Sequence, residues 1–256
     1  MLKNFINAVQ FLTIVTLNKK HRVEENDLAK SMVYFPVVGF LIGFILVNAD
    51  KLSVLIALPQ TIANCLLIVI SVVLTRAIHI DGLADTFDGI MGGYSPESRL
   101  AIMKDSRLGT AGALAIFFIL LLKYLCLNNL FEVDKVAALL TAPMLGRWSQ
   151  TLMVYNANYG REDGMAKAFV GHLRSSGMAA VSAVAVGLTA FVIVREEFRT
   201  ALLALSLVAG VLLLTYLGKR YLTSRLGGVT GDAIGAMSEL NEALVLLIFV
   251  TLSNGS

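Results

Sequence analysis

The stretch HIDGLADTFDG, residues 79–89, decides how this chain folds and what it can bind. It ends a run of apolar residues and places Asp81, Asp85 and Asp88 at positions i, i+4 and i+7. Residues three and four apart are neighbours on an α-helix, so a helical conformation puts the three carboxylates on one face. Like charges repel there, and desolvation beside a membrane span adds to their cost. A divalent metal ion that bridges the three aspartates is the simplest compensation.

The rest of the chain has the composition of an integral membrane protein. Of its 256 residues, 57% are hydrophobic and only 15% are charged, and the mean hydropathy is +0.76. Soluble domains carry roughly 25% charged residues. No strict alternation of apolar and polar residues runs along the chain, which favours helices as the membrane-crossing elements. The net charge of +3 is mild and no long basic run occurs, so we expect the lipid bilayer and no nucleic acid as a partner.

Apolar segments of bilayer-spanning length predict the fold class. We expect an all-α, polytopic integral membrane helical bundle, formed as a single membrane-embedded catalytic domain over residues 1–256. An amphipathic interfacial helix is predicted over residues 4–17, because this apolar segment is short and contains Gln10. About seven transmembrane helices of roughly 17–22 residues each are predicted after it. They cover residues 33–49, 60–80, 110–128, 136–155, 177–194, 200–217 and 233–252.

The distribution of basic residues predicts the orientation of the bundle. Cytoplasmic loops of membrane proteins are enriched in Lys and Arg. The predicted loops 80–109, 156–176 and 218–232 share the more basic side, which we therefore expect to be cytoplasmic. The basic residues assigned to this side are Lys3, Lys19, Lys20, Arg22, Lys30, Arg99, Lys104, Arg107, Arg161, Lys167, Arg174, Lys219, Arg220 and Arg225. Those assigned to the opposite side are Lys51, Lys135, Arg195 and Arg199.

The stretch KDSRLGTAG, residues 104–112, brings cations into the same loop as the aspartates. Lys104 and Arg107 surround Asp105 and Ser106, and a Gly-Thr-Ala-Gly segment begins the next span. Cations and a helix N-terminus rich in small residues suit a phosphate group. Metal-binding carboxylates beside phosphate-binding cations favour Mg²⁺ and phosphoryl transfer. A salt-bridged hairpin is the alternative interpretation.

The stretch GGVTGDAIGAMSELNEAL, residues 227–244, carries a second set of acidic residues. Asp232, Glu239 and Glu242 lie at positions i, i+7 and i+10, again on one helical face. The two glutamates fall inside the last predicted span, where ionisable groups are functional candidates by default. Thr230 and the glycines before Asp232 suit a tight start of the helix.

Three further features leave alternatives open. Arg76 and Arg147 lie in or at the ends of spans, so one of them is the alternative partner for the two glutamates in a structural ion pair. Arg147 could equally face a phosphate or carboxylate in a polar cavity. The loop over residues 158–172 reads as solvated, with a substrate lid as the alternative. His79 is a candidate base or metal ligand, or only a hydrogen-bond partner of the aspartates.

Taken together, these motifs resemble those of the cobalamin synthase family, the adenosylcobinamide-GDP ribazoletransferases. The similar segments run in the family's order from residue 35 almost to the end of the chain. The pair of HxDGLADTxDG and KDSRxGTxG is specific to the family, whereas REDGMAKAFVG is a looser match. The segments are FPVVGFLIG (35–43), HIDGLADTFDG (79–89), IMKDSRLGTAG (102–112), APMLGR (142–147), REDGMAKAFVG (161–171) and GGVTGDAIGA (227–236).

The resemblance implies an activity, a cofactor and a location. Family members join adenosylcobinamide-GDP to α-ribazole or α-ribazole 5′-phosphate and release GMP, the last assembly step of the lower nucleotide loop of vitamin B12. They are proteins of the bacterial inner membrane and need Mg²⁺. A homo-oligomer and association with other enzymes of the cobalamin pathway stay open.

The resemblance also implies roles for the residues singled out above. The family's metal-site aspartates map onto Asp81, Asp85 and Asp88. The full set of expected Mg²⁺ ligands is Asp81, Asp85, Asp88, Asp105 and Glu239. The candidates for the catalytic base are Asp88, Asp105 and Asp232, and Asp232 and Glu239 could each complete the metal shell or serve as the base. The residues expected to contact substrate are His79, Lys104, Ser106, Arg107, Arg147, Thr230 and Glu242.

Two other functions compete with this one. A CDP-alcohol phosphotransferase also places aspartates of its helices around a metal, but this chain lacks the DGxxAR signature of that family. A cation transporter would use the carboxylates as a permeation path. Such a path needs charged groups near the middle of several spans, whereas here the polar motifs collect on one side.

Overall fold

The structure, a computed structural model, describes residues 2–17, 25–193 and 198–253. Outside these ranges lie the last residue of the predicted span 177–194 and the basic residues Lys19, Lys20, Arg22 and Arg195. Within them, all regular elements are helices, and short 3-10 segments cover Met32–Tyr34 and Met165–Ala168. The α-helices are α1 (Leu2–Leu12), α2 (Glu25–Ser31), α3 (Phe35–Leu55), α4 (Gln60–Leu74), α5 (Ile78–Gly92), α6 (Pro96–Ile102), α7 (Thr110–Asn128), α8 (Glu132–Val154), α9 (Ser175–Ile193), α10 (Phe198–Leu226) and α11 (Gly231–Ser253).

The length and composition of these helices confirm an all-α, polytopic membrane bundle. In the part of the chain that the structure describes, five helices are long and apolar enough to cross a membrane. A sixth span results if α4 and α5 are counted together. The sequence predicted about seven spans. The additional one, residues 136–155, corresponds to α8. The five segments are Asp27–Leu55, Thr110–Asn128, Ser175–Ile193, Thr200–Leu226 and Gly231–Leu252.

Helix α8 is the central helix of the bundle, which explains why it is more polar than the others. It packs against α3, α9, α10 and α11, and every residue over 141–151 is buried. Helix α3 touches it closely at Gly39, where a Cβ atom would overlap the carbonyl oxygen of Pro143. The predicted span 136–155 is thus a helix in the predicted place, but its neighbours are mostly other helices. A helix in that position can carry polar side chains that lipid would not accept.

The predicted span 60–80 is divided into two helices, α4 and α5, which are inclined by 87° to each other. Between them, Arg76 and Ala77 have left-handed backbone conformations, with φ of 54° and 57°. This conformation costs roughly 1–2 kcal/mol for a residue with a Cβ atom. The Arg76 guanidinium donates hydrogen bonds to the carbonyl oxygens of Gln10 (3.0 Å) and Phe11 (3.2 Å), at the end of α1. The break directs α5, which carries the aspartates, against α7 and α11.

The predicted N-terminal helix is present as α1. It ends at Leu12 rather than at residue 17, and it buries Ala8, Val9 and Leu12 against the rest of the bundle. Its position at a membrane interface stays a prediction.

Candidate active site

Helices α5 and α11 touch each other through glycine. A Cβ atom on Gly82 would lie 2.8 Å from the carbonyl oxygen and 2.9 Å from the Cα atom of Asp232. Gly235 faces His79 in the same way, with a Cβ-to-Cα distance of 3.2 Å. This contact brings Asp81, the residue before Gly82, next to Asp232.

Two glycine-containing loops pair beside this contact. The Gly160 N–H donates to the Val229 carbonyl oxygen (3.0 Å), and the Val229 N–H donates to that of Asn158 (2.8 Å). A Cβ atom on Gly228 would lie 2.5 Å from the Gly160 nitrogen. The segment around Gly160 therefore docks onto the turn before α11, and the loop over residues 158–172 folds back onto the bundle.

The loop over residues 158–172, called the docked loop below, places a cation next to the acidic residues. Arg161 forms an ion pair with Asp232 across 2.6 Å from Nη2 to Oδ2. Tyr159 packs its phenol oxygen against Gly164, where φ is +154° and a Cβ atom would overlap that oxygen. Burial raises the pKa of Tyr159, so its hydroxyl stays protonated at neutral pH.

A cavity of about 240 Å³ lies between these elements. Its polar side is lined by residues of α5, α8, α11 and the docked loop. Aromatic rings of α1, α3 and the docked loop also line the cavity. The polar lining residues are His79, Asp81, Gln150, Tyr159, Arg161 and Asp232, and the aromatic ones are Phe11, Phe35 and Phe169.

The carboxylates near the cavity form one electrostatic group. Asp85 lies one turn along α5 from Asp81 and interacts with the charges of Asp81, Asp88 and Asp232. Arg161 is the cation that acts on the same carboxyl. Several like charges face one cation, so the site favours a further positive charge.

The Asp88 carboxylate is held by backbone N–H groups at the start of α7. Its Oδ2 accepts a hydrogen bond from the Gly109 N–H and its Oδ1 one from the Gly112 N–H, both at 2.8 Å. A Cβ atom on either glycine would overlap the Asp88 carboxylate. The start of α7, predicted to cradle a phosphate, therefore holds this carboxylate as its N-terminal cap.

The KDSR stretch forms the salt-bridged turn that was the alternative interpretation. Arg107 donates to both Asp105 oxygens, with a closest distance of 2.5 Å from Nη2 to Oδ2. The Arg107 guanidinium lowers the pKa of Asp105 to about 2, so this carboxylate stays ionised at neutral pH. Lys104 and Ser106 are exposed, and the turn does not line the cavity.

The two glutamates of α11 belong to a buried charge cluster. Lys123 of α7 contacts Glu239 Oε2 at 2.6 Å and Glu242 Oε2 at 2.7 Å. Arg147 of α8 pairs with Glu242 Oε1, and its Nη2 lies 3.4 Å from His79 Nδ1. Two cations thus balance two carboxylates, and among the described residues His79, which lines the cavity, lies next to this cluster. The alternative of an ion pair between Glu242 and Arg147 is what the structure shows.

Comparison with known proteins agrees with the motifs of this site. The family model for cobalamin-5-phosphate synthase matches residues 4–250. This chain belongs to the cobalamin-5-phosphate synthase family. The prediction that it is an enzyme, a transferase of cobalamin biosynthesis, is thereby confirmed. No solved structure matches the chain.

Three similar relatives of this cobalamin-5-phosphate synthase family member carry the same name. An adenosylcobinamide-GDP ribazoletransferase of Geotalea daltonii is 39% identical over 254 residues, which is 98% of each chain. One from Thermoanaerobacter sp. is 35% identical over 98% of each chain. One from Syntrophobacter fumaroxidans is 38% identical over 96% of this chain and 97% of the relative.

The predicted site residues of this synthase family member do not all meet at one place. His79, Asp81 and Asp232 meet at the cavity, with Asp85 beside them. Thr230 is buried at the start of α11, where its Oγ1 accepts a hydrogen bond from the Ala233 N–H (3.2 Å). The others lie in the cap of α7, the exposed turn or the buried charge cluster. They are Asp88, Lys104, Asp105, Ser106, Arg107, Arg147, Glu239 and Glu242.

No three Asp, Glu, His or Cys side chains come together in the described residues as a ready metal site. Asp81 and Asp85 are the predicted ligands that remain near the cavity and are not taken up by an ion pair or a helix cap. Asp232, which was predicted to serve as the base or to complete the metal shell, joins them from α11. The expected ligand set is therefore not assembled by the protein alone.

Sequence reasoning did not select Gln150, Tyr159 and Arg161 as site residues. Gln150 falls inside an apolar predicted span, and one amide there carries no distinctive signal. Arg161 and Tyr159 lie in a loop that reads as solvated because it mixes charges with glycine. The signal that could have found them is the repetition of a glycine beside a charged residue in both NYGRED and GGVTGD. Glycines of this kind permit two backbones to touch.

Proposed function

We propose that this protein joins α-ribazole, or α-ribazole 5′-phosphate, to adenosylcobinamide-GDP and releases GMP. The observation that carries the proposal is the pair of carboxylates, Asp81 and Asp232, on the polar side of the cavity in a member of this family. Asp81 comes from HIDGLADTFDG, one of the two motifs that are specific to the family, and Asp232 comes from the motif GGVTGDAIGA. The site would lie at the cytoplasmic face of a bacterial inner membrane, where the basic loops are predicted.

The residues at the cavity fit Mg²⁺. Carboxylate oxygens are the hard ligands that Mg²⁺ prefers, and the charges near Asp85 are predominantly negative. Mg²⁺ commonly binds through one or two carboxylates, several waters and the phosphates of a substrate, so a complete protein cage is not needed. Asp81 and Asp85 would hold the ion. When bound, it would neutralise charge on the diphosphate and on the departing GMP.

Asp232 is the best-placed base for the transfer. The 3′-hydroxyl of the acceptor would attack the phosphorus nearer the corrinoid, forming one P–O bond while the P–O bond to GMP breaks. The hydroxyl proton would pass to a carboxylate within hydrogen-bond reach. Arg161 holds Oδ2 of Asp232, and Oδ1 receives no hydrogen bond from the described residues. The contact of Arg161 with Oδ2 thus orients the Asp232 side chain, and Oδ1 is available to accept the proton.

Arg161 would also contact the phosphates. Its Nε is buried and makes no hydrogen bond to the described residues, although its Nη2 is used by Asp232. A guanidinium presents several N–H donors in one plane, so it can hold a carboxylate and a phosphate oxygen together. In that position it would stabilise charge that develops on the transferring phosphoryl group.

The experiment that tests this function measures nucleotide release by the purified, detergent-solubilised protein. It receives Mg²⁺, adenosylcobinamide-GDP and α-ribazole 5′-phosphate, singly and together, and the complete mixture is repeated with EDTA. We expect GMP only when both substrates and the metal are present. Folded protein that releases no GMP, or that instead releases CMP from a CDP-alcohol, would overturn the proposal.

A further inference from the structure

Gln150 is a buried amide with an unused donor. It lies on α8, its residue is 2% exposed, and it lines the cavity beside the acidic group. Its Nε2 makes no hydrogen bond to any described residue. A buried donor without a partner costs roughly 1–3 kcal/mol, so a bound ligand that accepts from it gains affinity.

The same cavity has a wall of aromatic rings. Phe11 and Phe169 have centroids 4.8 Å apart, and Phe35 lies 6.0 Å from Phe11 and 5.8 Å from Phe169. The three rings come from α1, α3 and the docked loop, so they form a wall only when those elements are assembled. Such a wall favours a flat apolar ring over a polar one.

We propose that this cavity is the acceptor site and that Gln150 recognises the base of the ribazole. The Gln150 amide donates a hydrogen bond to the imidazole nitrogen that does not carry the sugar, while the benzimidazole ring packs against Phe11, Phe35 and Phe169. This inference rests on the proposed function and names which of its two substrates enters the cavity.

The chemistry of the two substrates decides between them. A dimethylbenzimidazole base is planar and apolar, and it has one free lone pair in the ring plane. One unused donor in a cavity that also has an aromatic wall matches that single acceptor. A guanine has donors and acceptors on several edges, and the aromatic wall would leave them unpaired. A corrin ring is too large for a cavity of about 240 Å³.

The placement of polar groups suits the rest of the acceptor. With its base against the aromatic side, the ribose points to the polar side, where Asp81, Arg161 and Asp232 lie. The attacking hydroxyl then lies on the same side as the proposed base. The GDP-activated corrinoid would approach from outside the cavity.

The test compares two acceptors and two side chains. The acceptors are α-ribazole and the matching indole riboside, in which a C–H group replaces the imidazole nitrogen. The variants are Gln150→Met, which keeps the size but removes the donor, and Gln150→Glu, which replaces the donor with an acceptor. Thr151→Val is the control, because Thr151 is a neighbouring buried polar residue of α8 whose hydroxyl donates a hydrogen bond to the Trp148 carbonyl oxygen.

In the unsubstituted protein we expect KM for α-ribazole to be about tenfold lower than KM for the indole riboside, as one hydrogen bond predicts. Gln150→Met should raise KM for α-ribazole about tenfold, leave KM for the indole riboside unchanged and leave KM for adenosylcobinamide-GDP unchanged. Gln150→Glu should raise KM for α-ribazole further. Thr151→Val should keep the discrimination between the acceptors.

Equilibrium dialysis of labelled α-ribazole against the detergent-solubilised protein, without corrinoid, gives a readout that is independent of activity. The dissociation constant should rise about tenfold in Gln150→Met and stay constant in Thr151→Val. If the protein releases GMP but Gln150→Met keeps both the affinity and the discrimination, the acceptor site is not here and the proposed function stands. If the unsubstituted protein releases no GMP, the function itself fails.

Discussion

At the scale of single residues, the carboxylates of this protein differ because of the groups that surround them. Asp88 accepts two backbone N–H bonds, and Glu242 is paired with two cations in a buried cluster. Asp81 lies at the cavity, and no hydrogen bond or ion pair from the described residues engages its carboxylate. A carboxylate that the protein does not neutralise is the one available to a metal or a substrate.

Asp81→Asn should therefore abolish activity without unfolding the protein. The amide keeps the shape of the side chain but loses the charge that the metal needs, so kcat for GMP release should fall about 100-fold or more. The matched control is Asp163→Asn, since the Asp163 side chain is 97% exposed on the docked loop. Wild-type turnover by Asp81→Asn, with an unchanged dependence on Mg²⁺, would remove Asp81 from the site.

Lys123 should matter for stability because it neutralises two buried glutamates. Lys123→Met leaves Glu239 without its ion pair, and breaking a buried ion pair costs about 3–5 kcal/mol. Thermal unfolding in detergent, followed by circular dichroism, should show a large loss of stability. The double variant Lys123→Met with Glu239→Gln should recover part of it, because it removes the uncompensated charge. Equal stability of the single and double variants would contradict a charge-balanced cluster.

At the scale of helices, glycine determines how closely the site elements approach. Gly82 lets α5 touch α11 beside Asp232, and Gly160 and Gly228 let the docked loop touch the turn before α11. The left-handed break at Arg76 and Ala77 gives α5 its direction. These contacts position the carboxylates of two helices and the guanidinium of one loop around the same cavity.

Gly82→Ala should separate α5 from α11 and lower activity more than stability. A Cβ atom there would lie 2.8–2.9 Å from backbone atoms of Asp232, which cannot move aside as a side chain can. We expect kcat to fall at least about tenfold, since small misplacement of catalytic groups has large effects on rate. Gly187→Ala on α9 is the control, because a Cβ atom there meets no other atom within 4 Å.

The two alanine variants should change the free energy of unfolding in opposite directions. Gly187→Ala should stabilise α9 slightly, by about 0.5–1 kcal/mol, because alanine loses less conformational entropy in a helix. GMP release and thermal unfolding of both variants provide the comparison. Full activity of Gly82→Ala would mean that the α5–α11 contact does not set the geometry of the site.

At the scale of the whole molecule, the helices arrange polar motifs distant in sequence around one end of α5. The 158–172 loop, the turn before α11 and the start of α5 all meet there. At another place in the bundle, Lys135 pairs with Asp50 at 2.6 Å and with Gln60 at 2.8 Å, and these residues come from three helices. None of these three residues lines the cavity, so this charged cluster lies apart from the candidate site.

The orientation of the bundle can be tested by cysteine labelling. In a background without Cys65 and Cys126, single cysteines at Glu97 and Glu132 report on the α5–α6 side and on the loop between α7 and α8. A membrane-impermeant maleimide added to intact spheroplasts should label the Glu132→Cys variant and not the Glu97→Cys variant. Opening the spheroplasts should expose Glu97→Cys. The reverse pattern would place the site on the outer face.

The sequence alone determined the fold class and the family. Hydrophobic segments of spanning length and three aspartates at helical spacing are local patterns, because they depend on residues a few positions apart. The membrane bundle followed from them, as did the motifs that identify the family. Local patterns also showed which residue types could bind a metal and a phosphate.

Only the tertiary structure decided which of those residues share a site. Asp88 fits both a cap and a metal ligand by its spacing, and the choice depends on where α7 begins in space. Arg161 and Gln150 join Asp81 at the cavity because the docked loop and α8 lie against α11 and the turn before it, and α11 packs against α5. Contacts between distant segments depend on the packing of whole helices. The order of residues along one helix does not contain that information, so the folded chain alone distinguishes a carboxylate at the cavity from one that the protein has already neutralised.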